Sequence, residues 1–388
     1  MKPKPRVLFI KRGAAPPNFD PSLNRFHFLS SSLTGDLVQT TWPMLEEDIE
    51  LAKSGMGDFE FHRLLLDRSR FPLNSAKNLF NLFRKSFQLF EKKEYDAIVT
   101  YGPYLNSVVA FFFSRFYKVP LIVEVPGHPV KGFIGRKEES FISTLRIKRS
   151  VARLLARFVC QNTDYVRTLY PEQLDCLEID SKKVSIFHEF VPVTNLSKIK
   201  SDGKPEKDYI LTMGMPWYIK GVDILIKAFL EIADEYPDLH LKVVGFEVSD
   251  REFFEKIAGD HPRIELCQPV LSKEAYKIIS QAKVFALASR TEAMGRVLLE
   301  SMAFQVPIIA SRVDGIPYYV EDGITGLLFE PGNVGELARC LRETLNNKKE
   351  SDKRVEAASA RLLASYNEAK YVEEFTKMVE KLREKAIT

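Results

Sequence analysis

Arg290-Thr291-Glu292-Ala293-Met294-Gly295-Arg296-Val297-Leu298-Leu299-Glu300 sets two carboxylates, with seven residues between them, on either side of a glycine and the start of an apolar run at helical spacing. The pattern predicts a strand-loop-helix junction. The backbone N–H groups of Ala293, Met294, Gly295, Arg296 and Val297 then lie at a helix start, where the helix dipole favours a phosphate. Glu292, ahead of the helix, is placed to accept hydrogen bonds from sugar hydroxyls. Glu300, more than a turn further in, is placed for a second pair of hydroxyls such as those of a ribose. The same spacing also fits an ordinary helix with Glu292 near its cap and Glu300 on a solvated face.

Working outward, Pro307-Ile308-Ile309-Ala310 reads as a short buried strand and Asp314-Gly315-Ile316-Pro317 as a turn. Asp322 to Phe329 reads as another turn and strand. On these residues the stretch from about Tyr209 to Asn333 resembles the donor-binding half of the family-4 retaining glycosyltransferases. The resemblance implies an α/β chain of the GT-B fold, two Rossmann-like doubly wound domains facing across a cleft. It also implies a nucleotide-sugar donor (a UDP-, GDP- or ADP-sugar), with Glu292 and Glu300 as the acids of the family's E-x7-E motif.

The rest of the sequence is consistent with two domains. Apolar β-type runs at Val7 to Ile10, Ala97 to Thr100, Leu121 to Val125 and Phe158 to Gln161 alternate with helical patterns, which argues for a parallel sheet covered on both faces. A polar, charged stretch from Asn195 to Lys207 reads as a linker. A second series follows: strands at 209–213, 239–244, 264–267 and 284–288, and helices at 222–236 and 273–282. The expected division is residues 1–200 as an acceptor-side domain and 201–367 as the nucleotide-sugar domain. The resemblance adds a helix in 368–388 that crosses back to the first domain.

Composition narrows the partners. The 388 residues carry a net charge of +4, but residues 1–200 hold 30 Lys and Arg against 21 Asp and Glu, net +9, and residues 201–388 hold 26 against 31, net −5. A basic first half points to something anionic, and we expect a membrane surface rather than nucleic acid. Phe80, Phe83, Phe87 and Phe90 near helical spacing, beside Lys77, Arg84 and Lys85, suit a bilayer interface; they equally suit a helix with aromatics toward the core and charges toward water. The uncharged stretch Ala97 to Ser114 approaches the length of a span, but Gly102-Pro103 cuts it into a strand, Ala97 to Tyr101, and a helix, Leu105 to Tyr117. Cys160, Cys176, Cys267 and Cys340 show no C-x-x-C spacing and fit reduced thiols in a cytoplasmic protein, peripheral at the inner face of a membrane.

Other residues carry chemistry. Gly214 to Gly221 follows a strand and precedes a helix, which puts Lys220 where it supplies a point charge to a diphosphate leaving group. The family pattern pairs that lysine with an arginine five residues earlier, where this chain has Met215. Arg290 and Arg296 are the candidates to replace it. His128, after the strand Leu121 to Val125, matches a histidine that the family places near the transferred sugar. By the same analogy Val270, in Gln268-Pro269-Val270, lies near the nucleobase. The loop Lys11 to Asn18 follows the first strand, without the Gly-Gly pair that relatives often carry. The chain contains no Asp-x-Asp, no P-loop and no G-x-G-x-x-G sequence, so the expectation is a metal-independent hexosyltransferase with no cofactor, acting on a glycan or lipid-linked acceptor. A non-catalytic nucleotide-sugar-binding scaffold, or an epimerase or phosphorylase of the same fold, are the competing readings.

Overall fold

The computed structural model describes residues 3–12, 24–41, 50, 53, 55–65, 73–129, 131, 142–196, 206–246, 251–259 and 261–387. Two compact units emerge from its contacts. The first comprises Met1–Val130, Ile142–His188 and Glu368–Thr388, and the second Lys131–Phe141 and Glu189–Asn367. Each is a doubly wound α/β unit built on a parallel sheet.

The first unit has the strands β1 (Arg6–Arg12), β2 (Thr34–Thr41), β3 (Phe59–Leu65), β4 (Ala97–Tyr101), β5 (Leu121–Glu124), β6 (Tyr165–Thr168) and β7 (Val184–Ile186), in the order β3-β2-β1-β4-β5-β6-β7. Every pairing is parallel. Helices on both faces explain why Val7 to Ile10 are all apolar and at most 2% exposed. The helices are α1 (Asn24–Leu29), α2 (Leu73–Phe90), α3 (Leu105–Tyr117) and α4 (Ile142–Gln161). Leu82 and Leu89 of α2, Val109 and Phe113 of α3, and Ala156 and Val159 of α4 share one core with Leu8, Ile98 and Val123 of the sheet. These three helices therefore cover one face.

One expected strand is corrected. Phe158 to Gln161 is the last turn of α4, and the strand begins at Tyr165. Ala152, Ala156, Val159 and Cys160 are all buried, a helical spacing that a four-residue apolar run cannot reveal.

At the carboxyl end of β5, Glu124 is fully buried between two arginines. Arg25 donates to both carboxylate oxygens at 3.0 and 2.7 Å, and Arg167 donates to Oε1 at 3.1 Å. Arg25 also donates to the Tyr371 hydroxyl at 3.2 Å, on the helix Glu368–Ile387. That helix sets Phe375 against Phe9 with ring centroids 5.9 Å apart.

The second unit has β8 (Tyr209–Met213), β9 (His240–Val244), β10 (Ile264–Cys267), β11 (Val284–Leu287), β12 (Ile308–Ser311) and β13 (Leu327–Phe329), in the order β10-β9-β8-β11-β12-β13, again all parallel. Its helices are α5 (Val193–Leu196), α6 (Val222–Ile232), α7 (Arg251–Ala258), α8 (Ser272–Ser280), α9 (Arg296–Ala303), α10 (Ile316–Tyr319), α11 (Val334–Asn346) and α12 (Lys348–Ser365). Strand order reverses between β8 and β11, which makes this pair the switch point of the sheet, where a ligand site is expected outside the carboxyl ends of the strands.

Among the described residues no helix is long and apolar enough to cross a membrane, and Ala97 to Ser114 divides into β4 and most of α3. The four cysteines are free thiols; burial pushes Cys160 up to about 12. The loop expected after β1 lies outside the described residues from position 13, as does most of the expected linker. Lys11 and Arg12 belong to β1 itself.

Candidate functional site

The loops after β8 and β11 meet at the switch point of the second unit. Gly221 makes their approach achievable: its φ is +63°, and a Cβ there would sit 1.8 Å from the Ala288 carbonyl oxygen. Only glycine tolerates both conditions. Next to that contact the Arg290 N–H donates to the Ile219 carbonyl at 2.8 Å. The Arg290 guanidinium donates to the Tyr218 carbonyl at 2.7 Å and grips the Asp223 carboxylate at 2.8 and 2.7 Å. It also lies 4.1 Å from the Tyr218 ring centroid. Arg290 thus fastens one loop to the other, and its charge is matched by Asp223.

These fastenings bring Lys220 and Glu292 together. The lysine Nζ donates to Glu292 Oε2 in a close ion pair, with the two side chains 17% and 14% exposed. Gly214, the first residue beyond β8, lies against the Lys220 stem. Ser289, fully buried, has its hydroxyl 3.5 Å from the same Glu292 oxygen. Asp314 holds the Glu292 backbone from the other side. Its carboxylate accepts from the Glu292 N–H at 3.1 Å, from the Thr291 hydroxyl at 2.5 Å and from Lys131 at 2.5 Å. Burial alone would raise the Asp314 carboxyl, but the hydrogen bonds from Lys131, Thr291 and the Glu292 N–H outweigh it and hold the group below its ordinary value. Asp314 is the residue that sequence reading missed as a participant. It was legible only as a turn residue, though an acid directly after a buried strand was the available signal.

The motif helix α9 begins at Arg296 with Gly295 as its N-cap residue. Ala293 and Met294 therefore lie in the loop, buried, and Arg296 and Val297 form the first turn, whose N–H groups have no acceptor within the helix. Glu300 is 6% exposed, so the solvated-face reading of this residue is overturned. Burial pushes its carboxyl above the usual carboxylate range, partly offset by Arg296, which donates to Oε1 at 3.2 Å. Beside them the Tyr276 hydroxyl is pushed up to about 12, by burial first and then by Glu300. Arg296 is thus matched by Glu300, as Arg290 is by Asp223. Met215 is 47% exposed.

Two further expected residues lie elsewhere. Val270 is half-buried beyond β10, the edge strand of the same sheet. His128 belongs to the first unit, half-buried just past the carboxyl end of β5. Asp36, Glu60 and His62 group their ligand atoms within 4.8 Å, the one such cluster among the described residues. Protein donors already fill it: His62 at 2.6 Å, Lys93 at 2.8 Å and Tyr95 at 2.9 Å all reach Asp36. A cation there would compete with a lysine and gain little.

Comparison with known proteins bears on this geometry. An uncharacterized glycosyltransferase of Haemophilus influenzae is 24% identical over 286 residues, which is 72% of this chain and 75% of that protein. Sucrose-phosphate synthase from Thermosynechococcus elongatus superposes with a TM-score of 0.76 at 16% identity, over 98% of this chain and 99% of that one. Anabaena HepE in complex with UDP-glucose gives a TM-score of 0.74 at 13% identity, over 97% and 100%. At such identities the likeness shows the fold, which is that of the GT-B glycosyltransferases. Residues 207–347, which hold Lys220, Glu292, Glu300 and Asp314, match the family model Glycosyl transferases group 1.

Proposed function

We propose that this chain transfers a hexosyl group from a nucleotide-sugar to a glycan or lipid-linked acceptor, with retention of anomeric configuration and without a metal ion. The observation that carries the reading is the Lys220–Glu292 pair, held over the switch point of the second unit beside the first turn of α9. The UDP-glucose held by HepE supports a nucleotide-sugar donor, UDP-sugars first.

In this reading Glu300 accepts from the ribose hydroxyls and the α9 first turn faces the diphosphate. Lys220 moves its charge from Glu292 to the departing diphosphate, and Glu292 turns to the sugar hydroxyls. A positive point charge aimed where negative charge develops is the main source of leaving-group stabilisation. The acceptor attacks from the face the diphosphate leaves, and His128 orients the sugar. A non-catalytic binding role is kept by one specific observation: Arg290 and Arg296 are both matched by carboxylates, and Met215 stands where the family has its second cation.

The test is release of the nucleoside diphosphate from UDP-, GDP- and ADP-sugars by the purified protein, with and without EDTA, and the product's anomeric configuration by NMR. Turnover with one donor, unaffected by EDTA and lowered about a hundredfold or more in Lys220→Ala, is expected. Binding with no release from any donor would establish the binding role instead.

A further inference from the structure

The helices α2, α3 and α4 form a layer of unusual composition. Their sequences contain nine Lys and Arg (Lys77, Arg84 and Lys85 on α2, Arg115 on α3, and five on α4) and no Asp or Glu. Their inner faces share a core with the first unit's sheet. Their outer faces mix polar and charged residues with large apolar ones, where a helix facing water is normally polar. Phe80 and Phe87 of α2, Phe112 and Phe116 of α3, and Leu154 and Phe158 of α4 are all exposed, Phe80, Phe116 and Leu154 by 62%, 64% and 67%.

Ring contacts tie the three helices together. The Phe83 and Phe112 rings bridge α2 to α3 at 5.1 Å, Phe112 stacks toward Phe116 at 5.8 Å, and Phe111 and Phe158 bridge α3 to α4 at 5.4 Å. Scattered exposed apolar residues need no explanation, but a contiguous patch does. Cations are set among the rings: Arg84 is exposed beside Phe83, and Arg115 lies 5.1 Å from the Phe111 centroid. Arg157 pairs with Glu178 at 2.6 Å, an acid that lies outside these helices.

We propose that this face docks on the surface of an anionic phospholipid bilayer, with the aromatic and leucine side chains in the headgroup and acyl boundary and the cations on lipid phosphates. The charge pattern selects this occupant. A neutral protein partner makes no use of a helix layer whose sequences hold nine Lys and Arg and no Asp or Glu, and a nucleic acid would leave Leu154 and the mutually packed phenylalanines without a role. Apolar burial and attraction to anionic lipid combine in such a surface, each cation near the membrane contributing about 1 kcal/mol, or roughly fivefold in partition. Docking would bring a lipid-linked acceptor to the enzyme's own membrane, but the inference is independent of turnover.

Flotation of the full chain with vesicles of phosphatidylcholine alone, or mixed with phosphatidylglycerol, tests it. Expected is flotation with the anionic vesicles only, reversed by high salt. Phe80→Ser with Phe116→Ser, and separately Arg84→Glu with Lys85→Glu, should each weaken partition roughly tenfold or more, with unchanged circular dichroism. Failure of the wild type to float on anionic vesicles at low salt, or equal flotation on both compositions, overturns the proposal. So does full flotation by the folded variants. A concentration-dependent dimer in sedimentation velocity that the phenylalanine variants abolish would assign the face to a second copy of the chain. If a variant fails to fold, the wild-type salt and lipid response decides alone.

Discussion

Replacing Gly221 by alanine strains the point where the two site loops touch, and the structure gives the size of the effect. An alanine at φ +63° costs about 1 to 2 kcal/mol for the left-handed conformation. Its Cβ would start 1.8 Å from the Ala288 carbonyl oxygen, where real contacts stay above 3.0 Å, so that carbonyl must retreat by about 1.2 Å. Forcing a packed interior apart in this way costs about 1 to 3 kcal/mol. The stiffer unfolded chain returns about 0.4 to 1 kcal/mol, which leaves a net loss of about 3 kcal/mol. Gly259 provides the control, because its φ is +61° and an added Cβ meets nothing within 4 Å. Gly259→Ala should therefore lose only about 1 kcal/mol. Urea unfolding read through Trp217, which is 4% exposed in the second unit, reports both variants in a Trp42→Phe background. Equal losses at the two positions, or none at Gly221, would refute the close contact as the cause. The displaced carbonyl is four residues from Glu292, so donor turnover should also fall, on the order of a hundredfold for a shift near 1 Å.

Two further outcomes follow from buried carboxyls. Burial would raise the Asp36 carboxyl, but hydrogen bonds from His62, Lys93 and Tyr95 win and lower it from 3.8 to about 2. The stability it contributes is complete above 3.8 and is lost as pH falls toward 2. Asp36→Asn should therefore be about 2 kcal/mol less stable at neutral pH, with the gap to wild type closing across that acid window in pH-resolved unfolding. Glu300 is shifted the other way, upward by burial against the opposing pull of Arg296. Nucleotide affinity, measured by calorimetry with UDP, should weaken on acidification at a pH above the ordinary carboxylate value, and Glu300→Gln should remove that dependence. A pH-independent wild-type affinity would end the ribose role of Glu300.

The parts of the fold legible in the sequence are those bounded by composition. The strands Ala97 to Tyr101 and Ile264 to Cys267 and the helix Leu105 to Tyr117 end where their composition says they should. β2 and β3 were invisible for a physical reason. Thr-Gly-Asp-Leu-Val-Gln-Thr-Thr looks like a loop, yet Asp36, Gln39, Thr40 and Thr41 are buried, and Asp36 finds its partners on β3 and beyond α2. Period and propensity cannot register a polar residue satisfied from 26 or 57 positions away. The candidate site divides along the same line. Spacing together with the family resemblance singled out Glu292, Glu300 and Lys220 as candidates. Neither revealed that Arg290 is held by Asp223 or that Asp314 anchors Glu292, because each is a matter of which loops the sheet order brings together; the Arg296–Glu300 pair, four residues apart on one helix, was open to a spacing argument.

The buried Arg25–Glu124–Arg167 cluster has a consequence for the order in which the chain can be completed during synthesis. Its Tyr371 contact and the Phe9–Phe375 pair belong to residues 368–387, whereas the strands they close upon lie within the first 170 residues. A nascent chain that has made all seven strands of the first sheet still lacks the helix that covers Phe9 and Phe187. The second unit, drawn almost wholly from residues 189–367, is fully synthesised before that helix is translated. The unit begun first is thus the one finished last, and until then part of its aromatic interior lacks its cover, the kind of transient exposure that favours aggregation.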